Sequence, residues 1–107
     1  AGKRVPNREG SKSFCDALLA PMPGELTFAI NRERLAGGFS VSDEEVAYAM
    51  AIAFNDLKII VEPGGAVALA AALAGRIQTR DHTTVVITSG GNVDPIVFRE
   101  ALKDPLS

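Results

Sequence analysis

Ser89-Gly90-Gly91-Asn92 is where chemistry is easiest to place in this sequence. It directly follows the run Thr83-Thr84-Val85-Val86-Ile87-Thr88, and in an open parallel α/β sheet ligands bind in the crevice at the carboxyl ends of the strands. A hydroxyl can both donate and accept a hydrogen bond, so Ser89 could present one to a ligand atom in that crevice. Gly90 and Gly91 let the backbone approach a ligand closely or take up positive φ. A tight strand-to-helix turn uses the same composition with no ligand, and spacing alone leaves both readings open. The glycine pair lacks the third glycine and the following Lys-Ser/Thr of a dinucleotide or Walker loop, so any phosphate must be bound elsewhere.

Glu62 is the second candidate. It ends the apolar run Ile59-Ile60-Val61 and precedes Pro63-Gly64-Gly65, where a carboxylate is partly desolvated unless paired. It could serve as a functional acid or a polar wall, but its position alone favours an ordinary loop acid that faces water or caps the helix that follows. His82, between Asp81 and Thr83, reads as a solvated loop residue. Cys15 reads as a small buried hydrophobe. Asp43, Glu44 and Glu45 sit at a helix start, where the helix dipole favours carboxylates, so they are not expected to hold a metal.

The elements that must position these residues can be read from periodicity. Ser42 with Glu45 fits a capping box, and Val46, Ala49, Met50, Ala53, Phe54 and Leu57 follow at the spacing of a one-faced helix. The stripe reads as core packing rather than a cofactor box. Short helices are expected over 13–19, before the Pro21-Met22-Pro23-Gly24 break, and over 25–35, ending at Gly37-Gly38. Residues 66–73 are apolar on every side, a helix that neighbours must cover all round. Val93 to Leu102 reads as a closing helix. The first dozen residues read as a loop around one short extended stretch at Arg4-Val5; brief strands are expected at Phe39-Ser40-Val41 and Ile59-Ile60-Val61, and Thr83–Thr88 has the pattern of a parallel strand covered on both faces, three or four short strands in all. Those surfaces demand more sheet than the chain supplies. The expectation is an incomplete α/β domain, finished by residues outside the chain or by a partner.

The totals narrow the class. With 107 residues, 47% hydrophobic and 22% charged, the chain suits one soluble globular domain. A net charge of −2 and no basic run give no footprint for nucleic acid or an anionic membrane. One cysteine and one histidine build neither a disulfide framework nor a Cys/His zinc site. The polar, basic start carries no apolar core of a signal or anchor, so the cytoplasm is the expected location. A first residue of Ala rather than Met suggests that residues precede it.

Four segments, in order and spacing, resemble one family: Phe14-Cys15-Asp16-Ala17-Leu18-Leu19, Pro23-Gly24-Glu25-Leu26-Thr27-Phe28, Val61-Glu62-Pro63-Gly64-Gly65-Ala66 and Ser89-Gly90-Gly91-Asn92-Val93-Asp94. They are similar to the C-terminal third of threonine dehydratase-like and serine racemase-like pyridoxal-phosphate enzymes, and Val41-Ser42-Asp43-Glu44-Glu45 fits the segment before that family's long helix. The resemblance implies fold type II, tryptophan synthase beta-like, with residues 1–107 as a C-terminal segment of the larger cofactor domain, part of an incomplete three-layer α/β sandwich. It implies that Ser89 hydrogen-bonds the pyridine nitrogen of pyridoxal 5'-phosphate, that Gly90 lies close to the ring, and that Glu62 lies near the cofactor. Asp16 to Ala20 would border the substrate, with Ala17 where many relatives have Gly and Ala20 where Ser or Thr is frequent. Asn92 matches a position that contacts a nucleotide effector in some dehydratases.

The family's Schiff-base lysine and its glycine-rich phosphate cradle lie upstream of this segment, and none of Lys3, Lys12, Lys58 or Lys103 has the lysine's setting. The chain alone is therefore expected to be inert, with the remainder of the same enzyme as its partner. The intact protein is expected to be an ammonia-lyase of amino-acid metabolism that turns a β-hydroxy amino acid, threonine or serine, into a 2-oxo acid and ammonia. It is also expected to be a homo-oligomer. A serine racemase-type isomerase is the alternative within the family. A non-enzymatic small-molecule-binding or oligomerisation module is the alternative outside it.

Overall fold

A computed structural model of the chain describes residues 2–103. The described residues form a short 3-10 helix, Asp16–Leu18, and four α-helices: α1 (Glu25–Arg34), α2 (Asp43–Asn55), α3 (Pro63–Leu73) and α4 (Pro95–Ala101). They fall into two compact units, Ala1–Gly38 and Phe39–Ser107.

In the first unit, residues 4–7 hold the proline-broken segment in place. Asn7 donates from its amide to Pro21 O at 2.7 Å and from Nδ2 to Ala20 O at 2.7 Å. Arg4 reaches Pro23 O at 3.2 Å and pairs with Glu25 at 2.8 Å. Of the helix expected over 13–19, one 3-10 turn forms, and Ala20-Pro21 keeps it short. Helix α1 starts after the prolines, with Glu25 in its first turn and Arg32 and Arg34 in its last, the arrangement the helix dipole favours.

In the second unit, α2 packs against α3 and α4. The capping box expected at Ser42 forms in both directions: Glu45 N–H donates to Ser42 Oγ at 3.2 Å and Ser42 N–H donates to Glu45 Oε2 at 2.8 Å. Glu45 also pairs with Arg76 at 2.8 Å, tying the start of α2 to the loop beyond α3. Val46, Ala49, Met50 and Ala53 are 0–1% exposed, as the stripe demands. Cover then runs out, for Phe54 is 40% and Leu57 56% exposed, although Phe54 still meets Phe98 of α4 edge-on with centroids 5.4 Å apart. The helix unwinds at Lys58, whose φ of 59° lets Ile59 N–H turn back to Ala53 O at 3.0 Å.

Helix α3 begins earlier than the apolar run from Ala66 suggests. Pro63 takes the first helical position, where its missing N–H costs nothing and its fixed φ suits the helix. Ala66, Ala70 and Ala71 are buried while Ala68 and Leu73 are exposed, so this all-apolar helix is covered on one side only.

The strands expected at Phe39-Ser40-Val41, Ile59-Ile60-Val61 and Thr83–Thr88 are not formed, and the described residues contain none. The sheet layer of the expected three-layer sandwich is therefore missing from them. A helix closes its hydrogen bonds within itself, whereas a strand exists only through a neighbour's ladder. Val85 and Ile87, expected to be covered on both faces, are 83% and 75% exposed.

Candidate functional site

Although no ladder forms, the ends of two apolar runs meet. Glu62 N–H donates to Gly90 O at 2.9 Å, which sets the start of α3 against the 89–91 turn. The approach is close enough to require glycine at several points. A Cβ on Gly65 would sit 2.8 Å from Gly90 O and 3.1 Å from Gly90 N; one on Gly91 would sit 2.7 Å from Ile60 O. These contacts are with backbone, which no rotamer change relieves. A Cβ on Gly90 would instead meet the Glu62 carboxylate, 2.7 Å from Oε1 and 2.9 Å from Cδ. Neither Gly90 nor Gly91 has positive φ, so of the two uses expected for this pair the turn relies on close approach.

Ser89 is exposed, and Gly90 and Glu62 are half-buried. Glu62 is the N-cap residue of α3, but its side chain accepts no capping hydrogen bond. The carboxylate lies against Gly90 instead of serving the helix end. Asn92 is exposed at the centre of the turn that Val93 N–H closes on Gly91 O at 3.0 Å. The structure thus brings Ser89, Gly90 and Glu62 together. Ala17 and Ala20 belong to the first unit, both exposed, Ala17 in the 3-10 helix and Ala20 with its carbonyl held by Asn7.

Gly65 is the member of this cluster that the sequence reading passed over. Two consecutive glycines in the first turn of a helix are a poor choice for helix stability, and that cost was the available signal for a close contact. His82 is exposed, with Nδ1 2.8 Å from Arg80 O, and Cys15 is buried, both as expected. Among the described residues no group of three or more His, Cys, Asp and Glu side chains is placed to hold a metal ion. No helix there is long and apolar enough to cross a membrane.

Residues 1–90 match the family model described as pyridoxal-phosphate dependent enzyme. The chain belongs to that family. Its cofactor is pyridoxal phosphate. Among curated relatives, the chain is 30% identical over 91 residues to the L-threonine ammonia-lyase of Thermotoga maritima, covering 85% of this chain and 22% of the relative. It is 37% identical over 94 residues to the serine racemase of Dictyostelium discoideum, covering 86% and 28%. Among solved structures, a T.th. threonine deaminase superposes with a TM-score of 0.78 at 35% identity, over 87% of this chain and 31% of that one. The Dictyostelium discoideum serine racemase structure gives 0.71 at 40% identity, over 78% and 28%. The fold-type II likeness expected from the sequence therefore holds, and the chain spans under a third of the length of each of these relatives.

The residues present fit one part of this family's cofactor. The exposed Ser89, whose hydroxyl can donate or accept, suits a ring edge that carries one hydrogen-bonding nitrogen.

Proposed function

We propose that this chain is a segment of the larger cofactor domain of a pyridoxal-phosphate dependent ammonia-lyase, in which Ser89 hydrogen-bonds the pyridine nitrogen. The activity is conversion of a β-hydroxy amino acid, threonine or serine, to a 2-oxo acid and ammonia. The observation that carries the reading is the exposed Ser89 hydroxyl beside a Gly90 held against Glu62, in a chain similar to L-threonine ammonia-lyases.

When bound, pyridoxal phosphate supplies an electron sink for chemistry at the substrate's α-carbon. Ser89 tunes that sink. A neutral hydroxyl would not hold the ring nitrogen protonated as a carboxylate would, so the electron sink it supports would be the weaker one. Gly90 has no Cβ and so admits the Glu62 carboxylate against the turn that carries Ser89. Asp16 to Ala20 borders the substrate, and Ala17 and Ala20, lacking hydroxyls, can offer it only backbone groups. Asn92 is available to an effector. The catalytic lysine and the phosphate cradle belong to the remainder of the enzyme, which works in the cytoplasm as a homo-oligomer.

The test uses the full-length polypeptide, loaded with cofactor and given L-threonine and L-serine. A 2-oxo acid forms. Ser89→Ala shifts the cofactor absorbance and lowers turnover by about a hundredfold, the scale of one preorganised hydrogen bond at a reacting centre. Unchanged absorbance and turnover in Ser89→Ala would refute the assignment. Racemisation is the second reading, supported by 37% identity to a serine racemase, and accumulation of D-serine in place of 2-oxo acid selects it. A full-length protein with neither turnover nor cofactor absorbance is a non-enzymatic binding module.

A further inference from the structure

We propose that Glu62 is a positioning residue, acting through Gly90 to aim the Ser89 hydroxyl rather than touching the cofactor itself. This rests on the reading of Ser89 above and deepens it. Three contacts converge on Gly90. The Glu62 amide donates to its carbonyl at 2.9 Å. The Glu62 carboxylate lies against its Cα, so close that a Cβ would fall 2.7 Å from Oε1. Gly65, in the first turn of α3, sits where its own Cβ would meet Gly90 O at 2.8 Å and Gly90 N at 3.1 Å.

Gly90 N belongs to the peptide unit that joins Ser89 to Gly90, so whatever holds that unit also sets the backbone from which the Ser89 side chain projects. Glycine is the most permissive residue, and an unbraced Ser-Gly-Gly turn would sample many conformations. A catalytic hydroxyl is useful only when its supports hold it to within a fraction of an ångström. Here the support is an acid whose carboxylate is not spent on capping its own helix. Its length reaches Gly90. The bracing role depends on shape, whereas direct action on the cofactor would depend on charge.

That contrast supplies the test, made on the full-length, cofactor-loaded protein by reading bound-cofactor absorbance across pH and the rate of cofactor loss. Glu62→Gln keeps the shape without the charge and is expected to retain the wild-type spectrum and cofactor retention. Glu62→Asp keeps the charge but withdraws it by one methylene, and is expected to shift the spectrum in the direction of Ser89→Ala. Gly90→Ala is expected to shift it as well, and adding Glu62→Ala is expected to recover part of that loss, because the atoms that the new Cβ meets are gone. Thermal unfolding, read in parallel, is expected to be similar for the Gln and Asp variants, so the spectral difference reports aim and not loss of fold. If Glu62→Gln is as damaging as Glu62→Asp, or if Glu62→Asp matches wild type, the brace is overturned. If Ser89→Ala leaves the spectrum unchanged, the Ser89 assignment fails by itself, whatever the Glu62 variants do.

Discussion

The first half of α2 and the run 83–88 both read as buried in the sequence, yet they end in opposite states. Val46, Ala49 and Met50 are 0–1% exposed, whereas Val85 and Ile87 are 83% and 75% exposed. The difference lies in what each needs from elsewhere. A helix satisfies its own backbone and asks only that one stripe be covered, which α3 and α4 do within the same unit. A strand needs a neighbour on its edge and a layer on its face. The chain spans under a third of the length of the relatives it matches, and the described residues supply neither.

The largest effect that could break this comparison is at Met50. Met50→Ala removes a fully buried side chain and is expected to cost about 2–5 kcal/mol of unfolding free energy. Ile87→Ala, by contrast, should fall within about 0.5 kcal/mol of wild type, as for an exposed surface site. Urea unfolding of the 107-residue chain measures both. Equal losses would mean that the 83–88 run is covered in solution, and dependence of the Ile87→Ala effect on protein concentration would identify a second copy as the cover.

A smaller effect sharpens why α2 forms where it does. Ser42→Ala deletes one half of the capping box and leaves the Glu45 amide without its acceptor, so it is expected to cost about 1 kcal/mol. Ser42→Gly should cost less, since glycine is tolerated at that position. A loss no larger than that of an exposed mid-helix substitution would show that the helix is placed by packing alone.

These two sites also mark how far the sequence could be read. Capping box, stripe and proline breaks are local patterns, and α1 to α4 stand within a few residues of expectation, while the helix expected over 13–19 shrinks to one 3-10 turn. The strands were legible as composition but not as structure, because a ladder depends on residues distant in the chain. At the site, Ser89, Gly90 and Glu62 were each visible as residue types in suggestive places. Their meeting was not, since it arises from the approach of two segments almost thirty residues apart. Gly65 gave only half a signal: two glycines at a helix start are costly enough to suggest a close contact, but not what the contact is with until its neighbour is known.

The smallest prediction concerns pH and again sets the capped helix start against the rest of the chain. The Glu44 carboxyl is held below its ordinary range, first by a hydrogen bond with its own backbone and then by the Ser42 hydroxyl, with desolvation and Asp43 pushing the other way. The Glu100 carboxyl is also lowered, chiefly by the hydrogen bond from Lys103. A carboxyl whose pKa is depressed by folding adds stability above its unfolded value, about 4.3 for Glu, and loses that stability as pH falls through the depressed value. Unfolding midpoints in urea should therefore fall between about pH 5 and pH 3. Glu44→Gln should flatten part of that fall, and Ser42→Ala should flatten less of it, because the larger backbone contribution survives. Both groups are exposed, so added salt should shrink the effect. An unaltered pH slope in Glu44→Gln would assign the acid sensitivity to other carboxylates and leave the cap as a matter of hydrogen-bond geometry alone.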